Sequence, residues 1–313
     1  MEKRVIIIIS MMLMLALLLA GCGGSSTSNP SNPGGSVTGF CAVPMKLVPG
    51  APSFPTGLDD KGTCTTVNYA YWMAETDVTY EQWCMVYNWA IANGYQFQNQ
   101  GRKGNDGAAN KTDRHPVTMI SWRDTIVWCN ALTEYNNAHG GTNLDCVYKY
   151  SGGVIKNSTD ANATACDNAT ADLNSKGFRL PTSMEWELAA RYKDRSNWTP
   201  GNYASGATAP YTDVSATSAV AWYNVNSNVP DPLNYSTQPV QLKPANAAGL
   251  YDMSGNVWQW CFDIAYSDAD YRVTRGGCND YGASMLQVGW VAGDDRSYCR
   301  TNIGFRPART HFN

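Results

Sequence analysis

Charge is scarce in this chain. Asp, Glu, Lys and Arg supply 16% of its 313 residues and the formal net charge is −3. No basic stripe exists to neutralise phosphates, which excludes nucleic acid as a partner. Histidine is nearly absent, with only His115, His139 and His311, each in an unrelated context. No CxxC or HxxxH spacing occurs, so the usual zinc signatures are missing. Repeats are lacking too, and no second linker divides residues 39–313, so one domain with loop insertions is the simplest organisation. Binding by such a chain must come from shape and local chemistry rather than from a strong field.

Long apolar runs are absent except at the N-terminus. Lys3 and Arg4 precede an apolar stretch from Val5 to Ala20 that only Ser10 interrupts. It is short for a membrane span, which needs roughly twenty residues, and has the make-up of a secretion signal. The run ends Leu19-Ala20-Gly21-Cys22, which resembles the lipobox of bacterial lipoproteins. The resemblance implies cleavage before Cys22, acylation of its thiol, and display on the bacterial outer membrane through that anchor. The following GGSSTSNPSNPGG cannot bury apolar surface and reads as a tether. The expected layout is therefore a signal peptide at 1–21, a tether at 22–38 and a domain at 39–313. Nine cysteines follow Cys22 in a chain that leaves the cytoplasm, and an odd number leaves at least one unpaired. Cys146 and Cys166 flank a polar insert whose ends a local disulfide could close; the other pairings cannot be deduced from sequence.

Within the domain, three segments carry helix-start signals. In YWMAETDVTYEQWCMVYNWA, Thr79 and Gln82 have capping-box spacing, and Trp83, Tyr87 and Ala90 then share a face. In HPVTMISWRDTIVWCNALTEY, a short strand after Pro116 leads to Ser121 as N-cap with Asp124 in the first turn. Trp122, Ile126 and Cys129 follow as the apolar face of an amphipathic helix. GFRLPTSMEWELAARY repeats the device with Thr182 and Glu185, placing Trp186, Ala189 and Ala190 inward. Each segment alone is folding information and implies no catalysis.

Taken in order, ETDVTYEQW, HPVTMISW, FRLPTSMEWELAAR, GLYDMSGNVWQW, RVTRGG and GFRPAR resemble the formylglycine-generating enzyme, or sulfatase-modifying factor, domain. The resemblance implies an α+β domain with a C-type-lectin-like core, loop-rich and low in regular secondary structure. The family's oxidases hold copper with two cysteines five positions apart, soon after the RGG-like strand. Those places here hold Tyr281 and Leu286, while Cys278 and Cys299 are twenty-one residues apart. The copper pair is missing, and a fold does not carry its chemistry when the site is gone. The chain is therefore expected not to be an enzyme; the alternative is a secreted oxidase of the formylglycine type. The iron enzymes that share this domain need a histidine cluster from a separate helical domain, absent here. No catalytic cofactor is expected. A structural calcium ion is implied by the resemblance at Asp252, Gly255, Val257 and Gln259, with Gln259 in place of the usual Glu. The EPN, QPD and WND signatures of calcium-dependent sugar binding are lacking.

The C-terminal segment, about 272–310, is what distinguishes the chain. Framework-like ends, RVTRGG and NIGFRPAR, enclose an aperiodic middle rich in small, aromatic and acidic residues. It resembles the variable region of diversity-generating retroelement proteins, some of which are treponemal lipoproteins. In that system Asn codons are randomised at adenines, which excludes Lys and Glu from the outcome, and neither occurs between Cys278 and Asn302. Met285, Gln287 and Trp290 cannot arise from such codons. The resemblance assigns ligand contact to Tyr281, Asp294, Tyr298, Arg300 and Thr301, with Cys278, Asp280, Ser284, Ala292, Asp295 and Ser297 as further candidates. Trp290 is expected either as an anchor in the face or buried beneath it. Arg275, Gly276, Gly277, Gly304, Phe305 and Arg306 belong to the frame. The expected partner is a protein, a peptide or a host-surface molecule whose identity differs between versions of the gene.

Overall fold

All three helix starts are built by reciprocal caps. The computed structural model describes residues 42–60, 64–105, 111–227 and 235–312; the signal segment and Cys22 lie outside them. At the helix Tyr80–Ala92, Thr79 Oγ1 accepts the Gln82 N–H (3.2 Å) and Gln82 Oε1 accepts the Thr79 N–H (3.0 Å). Ser121 and Asp124 do the same for the helix Trp122–Gly140, and Thr182 and Glu185 for Ser183–Arg191. Two otherwise orphaned backbone donors are satisfied at each start.

The helix Trp122–Gly140 departs from the amphipathic expectation. Residues 122 to 133 are all buried, the polar side chains of Arg123, Asp124 and Asn130 included. The cause is the segment after Cys146, which folds back over the helix's outer side. Strands Tyr148–Tyr150, Gly153–Val154 and Thr170–Ala171 form a small sheet, and the helix Ala163–Asp167 packs beside it. Arg123 Nε then donates to Asp167 (2.7 Å), and Asn130 Nδ2 donates to the carbonyls of Tyr148 (2.8 Å) and Ile155 (2.9 Å). The same folding removes the need for a covalent closure. Tyr148 pairs with Ala171 across the base of the insert, while the Cys146 thiol turns to the Asn130 carbonyl and the Cys166 thiol to that of Asn157. The expected Cys146–Cys166 disulfide is not formed; the eight described cysteines are all free.

Two sheets organise the rest. Tyr71–Ala74 is the centre of a three-stranded antiparallel sheet between Met45–Val48 and Ala308–Thr310, so both ends of the described domain are hydrogen-bonded to one central strand. The second sheet carries the C-terminal segment. Trp258–Ala265 and Asp268–Arg275 form an antiparallel hairpin, Ala292–Asp295 pairs with the outer edge of the latter, and Ile303–Gly304 runs parallel to the former. Side chains alternate along Trp258–Ala265 as the pleat requires. Trp258 and Trp260 enter one core cluster with Trp83, Trp128 and Phe305, whereas Cys261 enters another with Trp186 and Val273. The sheet is thus clamped from both faces.

Candidate ligand-binding site

Two buried arginines fix the ends of the C-terminal segment. Arg275 has no exposed side chain and its guanidinium pairs with Glu187, which also accepts from Arg191 Nε (2.9 Å). Its other arm donates to the carbonyl of Trp290, tying the intervening loop directly to the buried pair. Arg306, equally buried, donates to Gln259 Oε1 (2.8 Å), to the carbonyls of Ala74 (3.0 Å) and Tyr251 (2.7 Å), and to Asp77 (3.2 Å). Between them the chain turns sharply at Gly276 and Gly277, with φ +91° and +73°. A Cβ at Gly276 would lie 2.7 Å from the Met253 carbonyl oxygen, so neither conformation nor space admits a side chain.

A cleft of about 570 Å³ opens where the loops leave this frame. Of the residues expected to contact ligand, Tyr281, Trp290, Ala292, Asp294, Arg300 and Thr301 line it. Tyr281 is 46% exposed and meets Trp258 edge-on at 6.1 Å. Trp290 is half-buried; it packs against the core and forms part of the cleft wall. Asp294 and Arg300 form an ion pair within the lining, with Arg300 Nη2 2.9 Å from Asp294 Oδ1. Tyr298 is exposed outside the cleft and carries the Arg300 guanidinium over its ring at 5.3 Å.

The remaining candidates serve the loop itself. Cys278 is fully buried; its thiol donates to Asp280 Oδ1 (2.9 Å), and burial followed by the Asp280 charge raises it well above the ordinary thiol range. Asp280 also accepts from Asn302 Nδ2 (3.0 Å), which pins one end of the segment to the other. Asp295 accepts the Ser297 N–H (2.7 Å) and hydroxyl (2.6 Å), so both residues are spent on a turn. The Ser284 carbonyl accepts from Gln287 Nε2 (2.6 Å) in a short 3-10 turn. Sequence reasoning missed Tyr266, Tyr271, Thr274 and Gly293, which also line the cleft. The available signal was DIAYSDADYR, two strands joined at Tyr-Ser, where a relaxed tight hairpin carries Asn-Gly.

Neither metal set implied by the resemblance fits these side chains. Tyr281 and Leu286 stand at the copper positions, one in the cleft and one fully buried. At the calcium positions Asp252, Gly255, Val257 and Gln259 are all buried. Gln259 Oε1 already accepts from Trp186 Nε1 (2.6 Å) and Arg306 Nε, while its Nε2 donates to the Asp252 carbonyl (2.9 Å). Residue 259 therefore presents a donor to Asp252, beside a guanidinium, where a hard cation needs oxygen ligands. Asp252 Oδ2 accepts the Gln241 N–H (2.9 Å), and burial raises its carboxyl above the usual range. Among the described residues no three His, Cys, Asp or Glu side chains gather as a metal-binding group.

Fold and site together define a C-type-lectin-like scaffold that presents a cleft lined by a clamped sheet and its loops. The chain matches the sulfatase-modifying factor enzyme 1-like domain over residues 46–311 and belongs to that family. It is similar to Treponema denticola variable protein 1, with 28% identity and a TM-score of 0.64 over 88% of this chain and 99% of that one. Chaperone protein LppX of Paenibacillus barcinonensis is 28% identical over 261 residues, 77% of this chain and 80% of that protein. The formylglycine-generating enzyme of Streptomyces coelicolor is 30% identical over 162 residues, 45% of this chain and 50% of the enzyme. The family thus contains enzymes, and the chain shares its fold with a variable protein.

Proposed function

We propose that this protein is a non-catalytic, surface-displayed lipoprotein whose ligand site is diversified by a retroelement. The observation that carries the reading is the division of labour in one segment. Arg275, Gly276, Phe305 and Arg306 are buried and hold the core, while exposed residues between them supply part of the cleft wall. A scaffold built this way tolerates exchange of the exposed residues because the frame's stability does not depend on them. The missing thiolate pair speaks against the oxidase alternative. The ligand is a protein, a peptide or a host-surface molecule, and the likeness to a treponemal variable protein supports the same class of function.

The deciding experiment is to sequence the DNA around the gene. A noncoding repeat of its 3′ end, with AAC or AAT where residues 278–301 have other codons, should lie near a reverse transcriptase gene. A genome with no such repeat ends the diversification reading. The anchor is tested separately by metabolic fatty-acid labelling, in which Cys22→Ser should abolish both label and membrane association. A labelled, membrane-bound variant would place the anchor elsewhere.

A further inference from the structure

The cleft has a wall that the exchangeable segment does not supply. Strands Trp258–Ala265 and Asp268–Arg275 are joined by two residues, Tyr266 and Ser267, with φ +55° and +57°. Both central positions of this hairpin are left-handed, a conformation that penalises most side chains and that Asn-Gly adopts readily. The strained turn presents Tyr266, 68% exposed, at the mouth of the cleft, with Tyr271 edge-on at 5.9 Å. Backbone strain that the surrounding structure maintains clusters at ligand sites. Against the ring, Gly293 leaves a bare strip of strand; a Cβ there would lie 2.8 Å from Tyr266 Cε2 and 2.5 Å from Ala265 Cβ. The tyrosine ring rests on that strip, so the turn, the ring and the glycine fit one another.

We propose that Tyr266 is a constant contact residue of the ligand site, a fixed aromatic wall that takes an uncharged, aromatic- or aliphatic-bearing segment of a partner protein. The inference rests on the ligand-binding reading above and names its chemistry. Tyr266 lies outside 278–301, so it stays the same in every version of the segment. The charged side chains lining the cleft, Asp294 and Arg300, neutralise each other, whereas Trp258, Tyr266, Tyr271, Tyr281 and Trp290 offer five aromatic rings. Rigid aromatic anchors with little side-chain entropy to lose are what dominate protein contacts. Residue 293 acts through Tyr266, because any side chain there displaces the ring.

The test pans a random twelve-residue peptide phage library on the full-length protein and measures each recovered peptide against Tyr281→Ala, Arg300→Ala, Tyr266→Ala and the pair Tyr266→Asn with Ser267→Gly. Cleft-directed peptides, defined as those weakened by Tyr281→Ala or Arg300→Ala, should be uncharged at their core and lose about tenfold in affinity with Tyr266→Ala. The Asn-Gly pair should raise Tm by about 3 °C through relief of turn strain, yet bind these peptides as poorly as Tyr266→Ala. A more stable Asn-Gly variant that binds them as well as the parent overturns the inference and leaves the ligand site standing. If no recovered peptide depends on Tyr281 or Arg300, the cleft is not the ligand site and both readings fall.

Discussion

Replacing Phe305 by alanine should lower the unfolding free energy by about 4 kcal/mol, the largest single effect expected in the C-terminal segment. Its ring is fully buried and meets Trp128 edge-on at 5.3 Å and Trp83 at 6.2 Å, joining the strand Ile303–Gly304 to both long helices. Removal leaves a cavity between two indoles that are themselves stacked at 5.8 Å and cannot collapse into the space. Urea unfolding measures this directly. A loss below about 1 kcal/mol would mean that the segment's C-terminal end is not seated in the core as described.

Arg275→Met should cost about 3 kcal/mol and lower Tm by roughly 6 to 12 °C. The loss falls short of the worst case for a broken buried pair because Glu187 keeps Arg191 as a partner. The carbonyls of Trp290 and Ser183 lose a donor at the same time, so the loop that carries Trp290 is released from the frame. Arg300→Met is the matched control. Its side chain is 48% exposed and its partner Asp294 sits at the cleft, so stability should change by no more than about 0.5 kcal/mol. Equal destabilisation by the two substitutions would erase the distinction between frame and face on which the functional reading depends.

Much of the local structure was legible in the chain. The three helix starts follow from hydroxyl and carboxylate or amide side chains three residues apart, a relation that local geometry alone enforces. The absence of a thiolate pair at Tyr281 and Leu286 needs no structure to be recognised. Long-range closure was not legible. The Cys146–Cys166 bridge was a reasonable way to close an insert, but strand pairing between Tyr148 and Ala171 closes it instead and also covers the outer side of Trp122–Gly140. Periodicity counts the polar positions of that helix, and it cannot see that Asp167, Tyr148 and Ile155 will arrive to satisfy them.

The sequence by itself determined the family frame, the missing copper thiolates and the framework ends of the C-terminal segment. Only the tertiary structure decided which residues of that segment face the cleft. Tyr281, Trp290, Asp294 and Arg300 line it, while Asp295 and Ser297 are consumed by a turn, Asp280 is bonded to Asn302 at the segment's other end, and Cys278 is buried. It also brought Tyr266 and Tyr271 to the site from a hairpin that precedes the segment. The physical reason is that exposure in an aperiodic loop is set by its partners. Ala292–Asp295 takes its orientation from pairing with Asp268–Arg275 and from the Arg275 bond to the Trp290 carbonyl just ahead of it, contacts that no run of neighbouring residues encodes.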